Sequence, residues 1–133
     1  MSGESDLDVM LAGLDVHMDE EPVVYALVPR VVDEVGIRAV VVEDEGITVV
    51  LGREDADEIG LAYEFVGAWL TLTVHSALDS VGLTATFSHA LADAQIPCNV
   101  LAGTHHDHVV VPWEARHDAV AVIRALSLRS ERE

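Results

Sequence analysis

The stretch that leaves this chain the fewest choices runs from Trp69 to Pro112. Leu70, Leu72 and Val74 alternate with Thr71, Thr73 and His75. A period of two marks a strand with one apolar and one polar face. A turn from Ser76 to Ser80 follows and is closed by Gly82. Leu83, Phe87, Ala90, Leu91 and Ala94 then recur at helical spacing, so a helix over 83–95 has an apolar face. Pro97 stops it. Asn99–Ala102 and His108–Val111 read as two short strands around a polar turn, and a further helix is expected at about Glu114–Leu126.

Strand, glycine turn, helix, hairpin and helix make up most of a βαββα unit of the ferredoxin-like kind. The chain before it repeats that outline in reduced form. Pro22 precedes a strand over Val23–Val28; Pro29 ends it and Gly36 closes the connection. Ile37–Val42 and Ile47–Leu51 are apolar and β-branched. Between them Glu43-Asp44-Glu45-Gly46 is a hairpin turn with glycine where positive φ is needed. Arg53–Ile59 is a short acidic helix closed by Gly60, and Leu61–Gly67 leads into the central strand.

Each half has a defect. The connection of the first half, residues 29–36, is too short for a helix like that of the second. The N-terminal helix, Asp6–Leu14, is expected to fill the vacant position over the first sheet. Ser5 would cap it, and Leu7, Met10, Leu11 and Leu14 form its buried stripe. Residues 1–5 read as a disordered start and Asp15–Glu21 as a polar link. In the second half the chain after Leu126 is Ser-Leu-Arg-Ser-Glu-Arg-Glu, a poor strand. The last strand of that unit therefore comes from elsewhere or is missing, and the halves share one sheet system. An edge left open in this way predicts a homodimer or larger assembly.

L-T-L-T-V-H-S-A-L, D-S-V-G-L-T-A, I-P-C-N-V and H-D-H-V-V-V-P together resemble an ACT domain, a small regulatory module that binds amino acids beside metabolic enzymes. The last motif is similar to those of small stand-alone proteins built from two tandem ACT-like units. The resemblance is close from Trp69 to Leu126 and looser from Pro22 to Gly67, where it rests on pattern and on G-I-T-V-V-L. It implies an α+β fold of two tandem ferredoxin-like units with antiparallel sheets covered by helices. The expected division is a degenerate N-terminal unit with its helix, residues 1–66, and a C-terminal ACT domain, residues 67–133.

The chain has 133 residues, half of them hydrophobic, enough for one domain or two very small ones. Twenty-four acids face seven arginines and no lysine, a net charge of −17. Such a surface repels phosphates and anionic lipids, so neither nucleic acid nor membrane is expected as a partner. The acid excess fits a salty cytoplasm, or a genome that favours Asp, Glu and Arg. No apolar run is long enough to span a bilayer, and the acidic start lacks a signal core, so a cytoplasmic location is expected. The single cysteine, Cys98, suits a reducing compartment and reads as a small buried hydrophobe.

The loop His75-Ser76-Ala77-Leu78-Asp79-Ser80-Val81-Gly82-Leu83 is the first candidate site. It ends at a helix N-terminus, where free N–H groups and the dipole favour a carboxylate. Gly82 lets a ligand approach the backbone. The alternative is an ordinary strand-to-helix connection capped by Ser80 or Asp79. Asn99, between Cys98 and Val100, is the second candidate. Asn is a poor strand former, and its amide suits both an ammonium and a carboxylate. The ACT resemblance implies that the Asn99 position lines the ligand cleft beside the glycine turn. The expected ligand-binding set is thus His75, Ser76, Asp79, Ser80, Val81, Gly82, Leu83, Cys98, Asn99 and Val100.

His105-His106-Asp107-His108 is the third candidate. In an extended chain His106 and His108 point one way, and a metal there needs a third ligand such as His75 or His117. The alternative is polar turn residues, and no metal or cofactor is expected. No nucleophile elbow, phosphate loop or dinucleotide fingerprint is present, so the chain is not expected to be an enzyme. A regulatory module that binds an amino acid and controls its own assembly or a partner is the leading expectation. A structural module with a filled cleft and a histidine-cluster metal binder are the alternatives.

Overall fold

The computed structural model describes residues 6–30 and 36–132. The expected start over 1–5, its cap Ser5, and most of the 29–36 connection lie outside the described residues. In chain order the elements are α1 (Leu7–Ala12), β1 (Val16–Met18), β2 (Val23–Val28), β3 (Ile37–Glu43), β4 (Gly46–Gly52), α2 (Arg53–Glu58), β5 (Val66–Leu72), α3 (Leu83–Asp93), β6 (Asn99–Ala102), β7 (Asp107–Pro112) and α4 (Arg116–Arg132). A single 3-10 turn, Trp113–Ala115, leads into α4.

All the described strands join one antiparallel sheet, in the order β3-β4-β2-β5-β7-β6, with β1 also paired to β5. β5 is the axis. β7 runs along one side of it, from Gly67↔Pro112 to Thr71↔His108. Its other side is shared: β2 pairs at one end (Val23↔Gly67, Val24↔Val66) and β1 at the other (Val16↔Leu72, Met18↔Leu70). Gly67 stands at the crowded junction, where a Cβ would lie 2.5 Å from Val110 Cγ1 and 3.0 Å from the Val111 carbonyl.

This corrects two expectations. The last strand of the second unit comes from elsewhere in the chain, the first of the two alternatives: β1 supplies it, which corrects the reading of Asp15–Glu21 as a polar link and closes the expected open edge beside β5. Asp15 O and Trp69 O accept from Thr73 N and Asp19 N on either side of that pairing, at 2.9 and 3.0 Å. The N-terminal helix does not cover the first sheet. Asp6 caps α1 through its carboxylate, accepting from the N–H groups of Asp8 and Val9. Met10 and Leu14 then sink into a core with Leu83, Phe87, Leu91, Ile123 and Leu126, so α1 packs on α3 and α4. The division at 66/67 falls at the start of β5, and the segment before it contributes α1 and β1 to the layer of the second unit.

Because neighbouring strand residues point to opposite faces, the sheet carries a core on each side. Val24, Ala26, Val28, Val49 and Leu51 meet Ala56 of α2 on one face. Val23, Val50, Trp69 and Val110 cluster on the other, where no helix residue joins them among the described residues. Trp69 is sealed there by side chains. The Arg38 guanidinium lies 5.1 Å over its ring, and the His108 ring is 4.9 Å away. Asp19 holds Arg38 in an ion pair. No helix among the described residues is long and apolar enough to cross a membrane.

Candidate functional site

β5 ends at Leu72, earlier than the alternation predicted; beyond it Thr73 still meets Asp15, donating its N–H to the Asp15 carbonyl and accepting the Asp15 N–H through Oγ1. The loop that follows folds back over the β6–β7 hairpin. Ser76 is buried, and its hydroxyl donates to Asp107 Oδ2 at 3.1 Å. Ser80 N–H donates to the Ala77 carbonyl and makes the turn. Gly82 then enters α3 as its N-cap at φ +106°, a left-handed conformation that side chains rarely adopt. Neither Ser80 nor Asp79 caps the helix, and no side chain accepts from its first turn. Its leading N–H groups therefore remain donors without an intrahelical acceptor.

A cavity of about 120 Å³ lies at this helix end. Its wall is Ser76, Ala77, Leu78, Ser80, Gly82, Leu83 and Thr84 from the loop and helix, and Ala102 and Asp107 from the hairpin. Four of the expected site residues line it: Ser76, Ser80, Gly82 and Leu83. The others do not. Asp79 and Val81 are exposed, and His75 turns toward His105. Asn99 sits opposite Val110, so it shares the face of Trp69 and Val110 with Leu101. Ala102 and Asp107 line the cavity on the other face, and Asn99 points away from it. Cys98 and Val100 pack against the main core, and burial pushes the Cys98 thiol pKa up.

Asp107 is the group that sequence reasoning missed. It was visible only as one member of the histidine run; its pairing with Ser76, 31 residues earlier, is a tertiary fact. Among the described residues it is the one carboxylate in the cavity wall, which the start of α3 also lines. The wall thus contains both the start of α3, with its free N–H groups, and a negative charge. A broader depression along α3, lined by Ala85, His89, Asp93 and Leu126, offers less. Its two polar groups of opposite kind, His89 and Asp93, already face each other at 3.4 Å.

The histidine run is divided by the fold. His108 Nδ1 meets Thr71 Oγ1 at 2.9 Å beside Trp69, and burial first, then His106 and Arg38, lowers its pKa. His105 instead meets His75, its Nδ1 3.3 Å from the other's Nε2. Among the described residues no group of three or more His, Cys, Asp or Glu stands ready for a metal.

Comparison with known proteins agrees with this architecture. Two family models, each described as an ACT domain, match residues 2–68 and 64–125 and overlap at the start of β5. No curated protein matches the chain. Among solved structures, a Vibrio cholerae protein of unknown function, described as a possible transport protein, is 32% identical. The match covers 91% of this chain and 95% of that one, at a TM-score of 0.81. An Agrobacterium tumefaciens protein is 12% identical over 86% and 89% of the two chains, with a TM-score of 0.65. The ligand-free regulatory subunit of aspartate kinase from Thermus thermophilus is 11% identical over 84% and 95%, with a TM-score of 0.62. With both halves matched and the sheet they share defined, the chain belongs to the ACT domain family, as a tandem of two ACT units.

Proposed function

We propose that this ACT protein is a regulatory module that binds a small amino acid in the cavity between the Ser76–Leu83 loop and the β6–β7 hairpin. The observation that carries the reading is the placement of the Ser76–Asp107 pair in the same wall as the uncapped start of α3. A free amino acid presents a carboxylate and an ammonium a few ångströms apart. The N–H groups of α3 suit the first and Asp107, bonded to the Ser76 hydroxyl, suits the second. The volume, about 120 Å³, holds about four waters at ~30 Å³ each, which favours a small side chain. Binding would act through differential affinity for two states of the protein or its assembly. The fold shared with an aspartate kinase regulatory subunit supports a regulatory role over catalysis.

One observation favours a second reading, a structural module whose cleft is filled from within. A Cβ on Gly82 would meet Leu7 Cδ2 at 2.9 Å, so α1 already lies against the loop. A thermal-shift screen of the twenty amino acids separates the two. A ligand at ~100 times its dissociation constant stabilises by ~2.7 kcal/mol, and a clear rise in melting temperature with one or a few small amino acids is expected. A flat response to all of them favours the filled cleft.

A further inference from the structure

The same loop and hairpin bring histidines together at a distance that suits a metal. His105 Nδ1 lies 3.3 Å from His75 Nε2, across 30 residues of sequence. The two rings meet edge to face with centroids 5.0 Å apart, and the His106 ring centroid is 6.2 Å from that of His75. In such contact one ring nitrogen donates its N–H and the other accepts. An ion bonded at ~2.0–2.1 Å to each nitrogen would subtend an angle of about 107° across the 3.3 Å gap. That is close to tetrahedral.

We propose that His75 and His105 form a two-nitrogen site for a borderline-soft divalent cation, zinc or nickel, with His106 turning in as a third ligand and water completing the shell. Imidazole is a favoured ligand for both ions. The ion takes the place of the N–H between the two rings, and the ring that carried that proton holds it on its other nitrogen instead, so both ligands bind as neutral imidazoles. The net charge of −17 raises the local concentration of cations. No three ligands stand ready before binding among the described residues, so the core does not depend on the ion. What the ion does is fasten the 73–82 loop to the 103–106 turn.

The test uses the full chain without a histidine tag, stripped with a chelator and kept in high salt to screen diffuse attraction to the carboxylate surface. Calorimetric titration with zinc chloride, then nickel chloride, should give one saturable ion per chain. His75→Ala and His105→Ala should each lose it while keeping the parent's circular dichroism spectrum. His89→Ala, whose ring faces Asp93 on α3, should keep it. The imidazole nitrogen resonances of His75 and His105 should shift on titration. A parent with no saturable binding, or binding that survives in either His75→Ala or His105→Ala, overturns the proposal.

Discussion

At the scale of single residues, Gly82 and Asp107 fix the cavity in different ways. Gly82 is required by its backbone: at φ +106° and with Leu7 against it, any side chain is strained. Gly82→Ala should cost ~1–3 kcal/mol of stability, read in a urea melt; an unchanged midpoint would show that the loop can relax. Asp107 is required by its charge. Asn at this position can still accept from Ser76 Oγ, so Asp107→Asn should fold like the parent and lose the countercharge alone. Asp15 is a third case. The Arg124 guanidinium, bonded at 2.8 Å, and then the Val16 N–H hold its carboxyl below the usual carboxylate range. A lowered folded pKa means that the stabilisation is present at neutral pH and is lost as pH falls through that lowered value. The pair is solvent-exposed, so the gain is at most about 1 kcal/mol. The stability gap between parent and Asp15→Asn should be largest near neutrality and close in acid; a gap independent of pH would contradict the assignment.

At the scale of elements, the parts legible in sequence were those with local periodicity. Val23–Val28 forms β2 with the bounds expected of it, and Leu83, Phe87 and Leu91 bury the expected face of α3. β1 was not legible, because Val16-His17-Met18 is three residues between aspartates and has no alternation long enough to register. Its strand character comes wholly from β5. The position of α1 was likewise illegible: its stripe of Leu7, Met10, Leu11 and Leu14 shows that it packs but not on which layer. Asn99 reads as a cleft residue by pattern, and the register with Val110 turns it to the other face. If β1 and α1 complete the second unit, deleting residues 1–18 should expose the edge of β5 and part of the core around Phe87. The truncated chain should melt far below the parent or aggregate. A truncated chain as stable as the parent would place these elements outside the cooperative unit.

At the scale of the whole molecule, charge and sheet edges set the behaviour. A net charge of −17 on 133 residues repels itself, so the melting temperature should rise from low to molar KCl as the repulsion is screened. A flat or falling midpoint would count against an electrostatic account. The edge beside β5 is closed from within, so assembly must use another surface. β3 is one of the two outer strands, β6 the other, and it carries Val40, Val41 and Val42 at 42, 44 and 77% exposure. Such an edge is a template for a second strand, and sedimentation should show a homodimer; a 14.3 kDa monomer would contradict it.

The central claim is that the cavity at the start of α3 recognises an amino acid by both its charges. The most direct measurement is calorimetric titration of the amino acid found by thermal shift into the parent, Asp107→Asn and Asn99→Ala. Loss of the charged partner should weaken binding in Asp107→Asn by ~1.5–3 kcal/mol, while Asn99→Ala, on the opposite sheet face, binds as the parent does. Equal affinity in the parent and Asp107→Asn, or loss of binding in Asn99→Ala alone, would place the site elsewhere.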